Sequence, residues 1–493
     1  MKLYKGGINM SSTQHIWNLR GGQCKYLSED GIRKIHLSSL KLLEKTGCIF
    51  KDKPALEIFE DAGAKVDYKS ETVRIPAHLV EQAIKKAPSS VLLAGRDKRY
   101  DIILEENRVY FGTGSVAINV LDLETAKHRR AVKKDVYDFA RLVDALEHVN
   151  FYKVIVSPSD VPSELIERHM ADAAFNGTTK HFSISAYSHE GVKDLIKMGE
   201  IVAGGMDNLR KRPLLSINVL SITPLVFDPK SIKILIEVAK SGIPLIIAAE
   251  PQAGTTAPVT IAGAVVLQNA ESLAGIVLAQ LINPGTPVLC GSVGSIADMR
   301  TGQYASGAVE LGIINAIAAQ MAQFYKIPIY STGGMSDAKI PDIQSGYEKG
   351  LQTLLVALSG ANYIHDAVGL LEFCLTASYE QVVIDDEICG MVARVLKGIS
   401  LDEEMIGLDL IDNVGPGGNF LAESHTLKHF KKEHFFPKIS NRQTRQMWEE
   451  NGEQTTVQVA REKAMSILKD HSPVSLDKDI KKELSNVIKH AEK

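Results

Sequence analysis

Cysteine is scarce. Five of the 493 residues are cysteines (Cys24, Cys48, Cys290, Cys374 and Cys389), with no C-x-x-C pair and no regular spacing. Such a set excludes a disulfide framework and suits a reducing compartment. A surplus of positive charge is also missing: Lys and Arg number 56 against 59 Asp and Glu, a formal net charge of −3. No global basic field draws the chain to nucleic acid or anionic lipid, so neither is expected as a partner. No apolar run is clean enough to span a membrane. The longest, 261–282, contains Gln268, Asn269, Glu271 and Gln280 and reads as a buried helix. The N-terminal MKLYKGGINMSSTQ lacks the apolar core of a signal peptide, and low-complexity tracts are absent. What remains is the expectation of a soluble cytoplasmic protein, whose 45% hydrophobic and 23% charged residues suffice for a substantial core.

The chain changes character twice. Residues 1–108 read as an α/β cap, with amphipathic stretches at 28–46, ended by Gly47, and at 77–87, following Pro76. From residue 109 short apolar runs alternate with helical periodicity. The runs are 109–112, 154–157, 181–185, 214–218, 244–249, 287–291, 327–330 and 361–365; the helical stretches are 132–149, 162–175, 189–202, 229–241, 261–282, 304–325, 341–359 and 379–396. Asp228-Pro229 supplies an N-cap and a first-turn proline, and Gly242 ends the same helix. Near-continuous hydrophobicity marks strands buried on both faces, and strict strand–helix alternation implies right-handed βαβ units in a parallel sheet. Eight units predict a (β/α)8 TIM barrel over 109–398; an open doubly wound sheet is the alternative, and no G-x-G-x-x-G follows any strand to support it. Residues 399–493 read as a C-terminal helical extension with a solvated charged tail ending in Lys493.

Barrel chemistry comes from residues just after each strand. Those positions read Gly112-Thr113-Gly114-Ser115, Ser157-Pro158-Ser159, Ser185-Ala186-Tyr187, Asn218 with Ser221, Glu250-Pro251-Gln252, Gly291-Ser292, Ser331-Thr332-Gly333-Gly334 and His365-Asp366. No His-x-His follows the first strand and no strand end presents a lysine for a Schiff base, so neither metal-dependent hydrolysis nor imine chemistry is expected. His365, Cys290 and Cys374 lack zinc-ligand spacing, and no metal is expected. Glu250 closes the apolar run IPLIIAAEP and is therefore desolvated; its partner is either a cationic substrate or loop backbone amides. His365 reads as a group that binds a substrate carboxylate or moves protons, or as a structural histidine on Asp366. Tyr187, Phe111, Phe182, Tyr304, Tyr330, Phe373 and Tyr379 bring rings on or near strand ends, which form a cation–π cage only if several converge. The glycines after strand seven leave a phosphate-binding isomerase or synthase open as another class.

Three long segments carry a family resemblance: YFGTGSVAINVLDLETAKHRRAVKKDVYDFARLVD at 110–144, STGGMSDAKIPDIQSGYEKG at 331–350, and VGPGGNFLAESHTLKHFKKEHFFPKISNR at 414–442, followed by Trp448 and Gly452. Through them the chain resembles the trimethylamine methyltransferase (MttB-like) family over about residues 25–470. The resemblance implies a barrel that moves a methyl group from a methylated amine to Co(I) of a corrinoid (cobalamin). That corrinoid belongs to a separate carrier protein, in keeping with the lack of a D-x-H-x-x-G motif, so no cofactor is expected on this chain. Founding members carry pyrrolysine in the loop after strand seven, where this sequence has Gly333-Gly334-Met335. The branch without pyrrolysine uses quaternary amines such as glycine betaine, whose neutral leaving group needs no proton transfer. Gly333 and Gly334 are expected to leave room where pyrrolysine otherwise projects. From strand-end position, Glu250 with Tyr187, Tyr330 and Phe373 is expected around the ammonium group, and His365 with Asn218 at the carboxylate. A homo-oligomer is expected for a barrel of this size. A non-catalytic scaffold for a corrinoid carrier is the remaining alternative.

Overall fold

The computed structural model describes residues 19–114 and 116–492. Ser115, Lys493 and the N-terminal segment examined for a signal core lie outside the described residues. Eight parallel strands form one sheet in sequential order: β1 Tyr110–Thr113, β2 Tyr152–Lys153, β3 Phe182–Ser185, β4 Leu215–Leu220, β5 Leu245–Ala249, β6 Val288–Ser292, β7 Ile329–Thr332 and β8 Tyr363–Val368. β8 returns to β1 with Tyr363 opposite Tyr110, and a parallel bridge from Gly112 to Phe151 joins β1 to β2, which closes the barrel. The helices between them are α1 Lys133–Ala145, α2 Ile166–Gly177, α3 His189–Ala203, α4 Pro229–Ser241, α5 Ile261–Ile282, α6 Val309–Tyr325, α7 Ile343–Leu358 and α8 Tyr379–Leu396.

The sequence signals act as expected at α4. Asp228 accepts from the Ser231 backbone N–H at 2.7 Å, Pro229 opens the helix, and Gly242 closes it at φ +76°. α5 is long and apolar enough to cross a membrane, but it is mostly buried. It packs on β5, β6, α4 and α6 inside and on the N-terminal helices Glu29–Lys45 and Ala77–Lys86 outside, which explains its apolarity all round.

One strand lies elsewhere than its sequence suggests. The apolar run at 154–157 points to the second strand, yet the residues that pair with β3 are Tyr152 and Lys153. A lysine therefore ends β2 inside the barrel, contrary to the expectation that no strand end presents one. The charged side chain interrupts the apolar run and disguises the register. Phe151 and Lys153 point inward with period two, while Tyr152 points out and donates to the Val136 carbonyl of α1 at 3.0 Å.

A hairpin, Ser90–Leu93 with Ile102–Glu105, plugs the N-terminal end of the barrel. Its Val91, Leu93, Ile102 and Leu104 pack with the inward Tyr110, Phe151, Ile246, Leu289 and Tyr363. Two small sheets stand on the opposite rim. Gln252–Ala253, Ser295–Ala297 and Tyr304–Ala305 form one; Leu370–Leu371, Thr376–Ser378, Asn119–Leu121 and His128–Arg130 form the other. In the C-terminal extension Thr456–Asp470 packs on α1 and α8, and Lys478–Ala491 on α2 and α3.

Closure between β1 and β2 depends on a missing side chain. A Cβ at Gly112 would lie 2.1 Å from the Phe151 ring. Gly112→Ala is expected to destabilise the protein by about 1–3 kcal/mol through overpacking, seen as a lower urea midpoint at unchanged slope.

Candidate active site

Strand alternation assembles the mouth. Lys153 of β2, Ser185 of β3, Asn218 of β4, Thr332 of β7 and His365 of β8 point inward at the C-terminal end, with Glu250 and Asp366 beside them. Below them runs a column of rings. Phe151 stacks on Tyr363 at 3.5 Å, Tyr363 on Tyr330 at 5.5 Å, and Tyr330 on His365 at 3.7 Å with planes 13° apart.

His365 Nε2 lies 2.8 Å from Thr332 Oγ1, and Nδ1 lies 2.9 Å from Asp366 Oδ2. Burial pulls the imidazole pKa down against the opposing pull of Asp366. Both nitrogens thus face partners within the chain and the ring is biased neutral, which leaves it poorly suited to hold a substrate carboxylate. Of the two readings the sequence left open for His365, these contacts favour the structural one on Asp366. Asp366 sits at φ +61°, and its Oδ1 is buried without a hydrogen-bond partner. Gly114 makes room for it, since a Cβ there would fall 2.0 Å from Oδ1.

Lys153 Nζ donates to Asn218 Oδ1 and stands 3.4 Å from Ser185 Oγ. Burial brings its pKa down to about 7, opposed by the charge of Asp366. Glu250 moves the other way: burial, with a contribution from Asp366, raises its carboxyl to about 7. It makes no hydrogen bond or ion pair among the described residues, loop backbone amides included. Tyr304, from the rim sheet, and Tyr330 adjoin it. Burial and the nearby Glu250 and Asp366 charges push both phenols far up, with both remaining neutral.

Other expected residues do not join this cluster. Tyr187 is mostly buried beside Glu167 of α2, its phenol raised to about 12. The face of Phe373 is already covered by Lys339 Nζ, 4.3 Å from the ring centroid. Phe182 packs edge-on against Phe175 of α2 at 4.6 Å, and Tyr379 stacks on Phe139 of α1 at 4.0 Å. Phe111 belongs to the main hydrophobic core. Cys290 is buried and bonded toward Ser272 of α5, its thiol raised to about 12 by desolvation.

The glycines after β7 face the helix layer. A Cβ at Gly333 would meet Ile364 at 3.1 Å and Val356 of α7 at 3.3 Å; one at Gly334 would meet Thr353 Oγ1 at 2.6 Å. Both allow close packing and do not open the mouth. The side chain of that loop that reaches the site is Met335, whose Sδ lies 3.9 Å from Tyr304 Oη. Backbone amides of the loop are already paired: Gly333 donates to the His365 carbonyl at 3.1 Å, Met335 to Gln352 Oε1 at 2.9 Å and Asp337 to Glu348 Oε2 at 2.9 Å. A carboxylate held at the loop disfavours phosphate, so the phosphate-binding alternative loses its site.

Sequence reasoning had passed over Lys153, and had placed Thr332 and Met335 in the loop after strand seven without giving either a role. The available signal for Lys153 was a charge two residues after Phe151 in an otherwise apolar FYKVIV.

Comparison with known proteins places the chain in a family. The family model described as trimethylamine methyltransferase (MTTB) matches residues 7–493. A trimethylamine methyltransferase MttB of Desulfitobacterium hafniense (strain DSM 10664 / DCB-2) is 38% identical over 465 residues, covering 94% of this chain and 93% of its own. A glycine betaine methyltransferase of D. hafniense (strain Y51) is 35% identical over 463 residues, covering 94% and 96%. The crystal structure of the Methanosarcina barkeri monomethylamine methyltransferase aligns over 91% of this chain and 95% of its own, at TM-score 0.45 and 14% identity. With whole-length similarity to proteins that share its barrel-sized chain, this protein belongs to the trimethylamine methyltransferase family.

Proposed function

We propose that the protein moves a methyl group from a quaternary amine, glycine betaine or a similar betaine, to Co(I) of a corrinoid carried by a separate protein. Family membership makes it a methyltransferase, and the finer reading rests on one observation. Glu250 is a desolvated carboxylate with no hydrogen-bond or ion-pair partner among the described residues, and the neutral phenols of Tyr304 and Tyr330 feel its charge at the barrel mouth. A cation without donors, such as a quaternary ammonium, satisfies that carboxylate by charge and the Tyr304 ring by cation–π attraction, while the faces of Tyr330 are taken up by its stack with Tyr363 and His365.

The corrinoid would supply a Co(I) nucleophile, whose electron pair takes the methyl carbon while the C–N pair stays on nitrogen. The nitrogen leaves as a neutral amine, so this chain's residues need move no proton. They orient the ammonium group and exclude water, with Glu250 and Tyr304 fixing the nitrogen and the His365–Tyr330 stack forming a rigid wall. The acceptor must reach the mouth from outside. Apolar side chains stand exposed on six of the loops that follow the strands: Ile118, Ile222, Val259, Met299, Ile340 and Leu375, at 38%, 56%, 65%, 66%, 57% and 45% exposure. An apolar rim of this kind suits protein docking.

Calorimetric titration tests the substrate. Glycine betaine is expected to bind the native protein and to lose about 10-fold or more in affinity with Glu250→Ala, the scale of a desolvated charge contact. Unchanged affinity in that variant would remove Glu250 from the site.

A further inference from the structure

We propose that Lys153 determines specificity: together with the Asn218 amide it holds the carboxylate of a zwitterionic substrate and so selects betaines over simple methylated cations. The inference rests on the quaternary-amine reading above and assigns the other pole of the same site.

The placement is unusual for a lysine. Its side chain is buried at the end of β2, and it is the one cation among the inward strand-end residues described above. Asn218 Oδ1 accepts from Lys153 Nζ and, at 3.0 Å, from Ser185 Oγ. An oxygen facing an ammonium fixes the orientation of the amide, which leaves Asn218 Nδ2 as a donor without a hydrogen-bond partner among the described residues. The ammonium has a third proton beyond its contacts to Asn218 and Ser185. Two adjacent donors, one charged, match the two oxygens of a carboxylate.

Charge complementarity points the same way. Lys153 and Asn218 occupy β2 and β4, whereas Glu250 follows β5. A betaine laid across the mouth meets opposite charge at each end, and a simple methylated cation meets only one. Methyl transfer from a quaternary nitrogen needs no proton and offers no carbonyl for imine formation, so a buried lysine here has recognition as its remaining role. Burial outweighs the charge of Asp366 in lowering its pKa, and an incoming carboxylate in contact would restore the charged form.

The test titrates the native protein and Lys153→Gln with glycine betaine, its methyl ester and tetramethylammonium. The native protein is expected to bind betaine about 10-fold or more tighter than the ester. Lys153→Gln should lose roughly 10–100-fold for betaine, the worth of a charge-assisted hydrogen bond, with both cations bound as well as before or better. Equal losses for all three ligands, or undiminished betaine affinity, would overturn the assignment. Should Lys153→Gln fail to fold by its thermal midpoint, the native comparison decides alone: an ester bound as tightly as betaine overturns it. Failure of the native protein to bind any quaternary amine would instead bring down the substrate reading itself, and this inference with it.

Discussion

Lys349→Met is expected to lower the free energy of unfolding by about 3–5 kcal/mol, the cost of leaving one partner of a buried ion pair alone. Lys349 Nζ lies 3.1 Å from Asp385 Oδ2, and both side chains are wholly inaccessible. The same ammonium donates to the Gly334 carbonyl in the loop after β7. Asp385 in turn accepts from Gly369 N after β8 at 2.7 Å and from Gln381 Nε2 at 2.8 Å. The pair therefore clamps two active-site loops onto α7 and α8. Burial pushes the Asp385 carboxyl pKa up despite its lysine, the sign that desolvation takes back much of the attraction. Lys349→Met combined with Asp385→Leu should accordingly recover most of the lost stability in urea unfolding. A double variant as unstable as the single would show that the hydrogen bonds to Gly334 and Gly369, and not the stranded charge, carry the effect.

Glu250→Gln is expected to stabilise the protein at pH 8 while damaging binding. The folded-state pKa is raised from 4.5 to about 7, so between those values the folded protein holds a proton that the unfolded chain releases. Stability then falls as pH rises from 4.5 to about 7 and stays low above it. A shift of this size corresponds to about 3–4 kcal/mol. Glutamine keeps the shape and cannot ionise, so the gain should appear at pH 8 and vanish near pH 4.5, as read from urea unfolding at both pH values. Affinity for a quaternary ammonium should drop at pH 8 in the same variant. Stability gained where binding is lost marks a residue kept for function. A gain of equal size at both pH values would assign the effect to packing.

Much of the architecture could be read from periodicity because the barrel strands are buried on both faces and their helices carry explicit stops. Strand two escaped because its functional residue, Lys153, breaks the apolar pattern by which strands are recognised. The positions of the candidate residues were legible, since Glu250, Asn218 and His365 stand at or just after the ends of their strands. Their partners were not. The stack of Phe151, Tyr363, Tyr330 and His365 joins strands more than 200 residues apart in sequence, and the Thr332 and Asp366 contacts that orient His365 depend on how β7 and β8 register. Side-chain direction in the loop after β7 was equally hidden. Glycines suggest open space, but Gly333 and Gly334 face α7 and β8, and only Met335 turns toward Tyr304.

The most direct test of a quaternary-amine methyltransferase follows the Co(I) absorbance of a reduced corrinoid carrier protein mixed with this protein and either glycine betaine or trimethylamine. Loss of the Co(I) band with glycine betaine and its persistence with trimethylamine is the predicted result. A band that persists with every quaternary amine offered, or that disappears with trimethylamine alone, would contradict it.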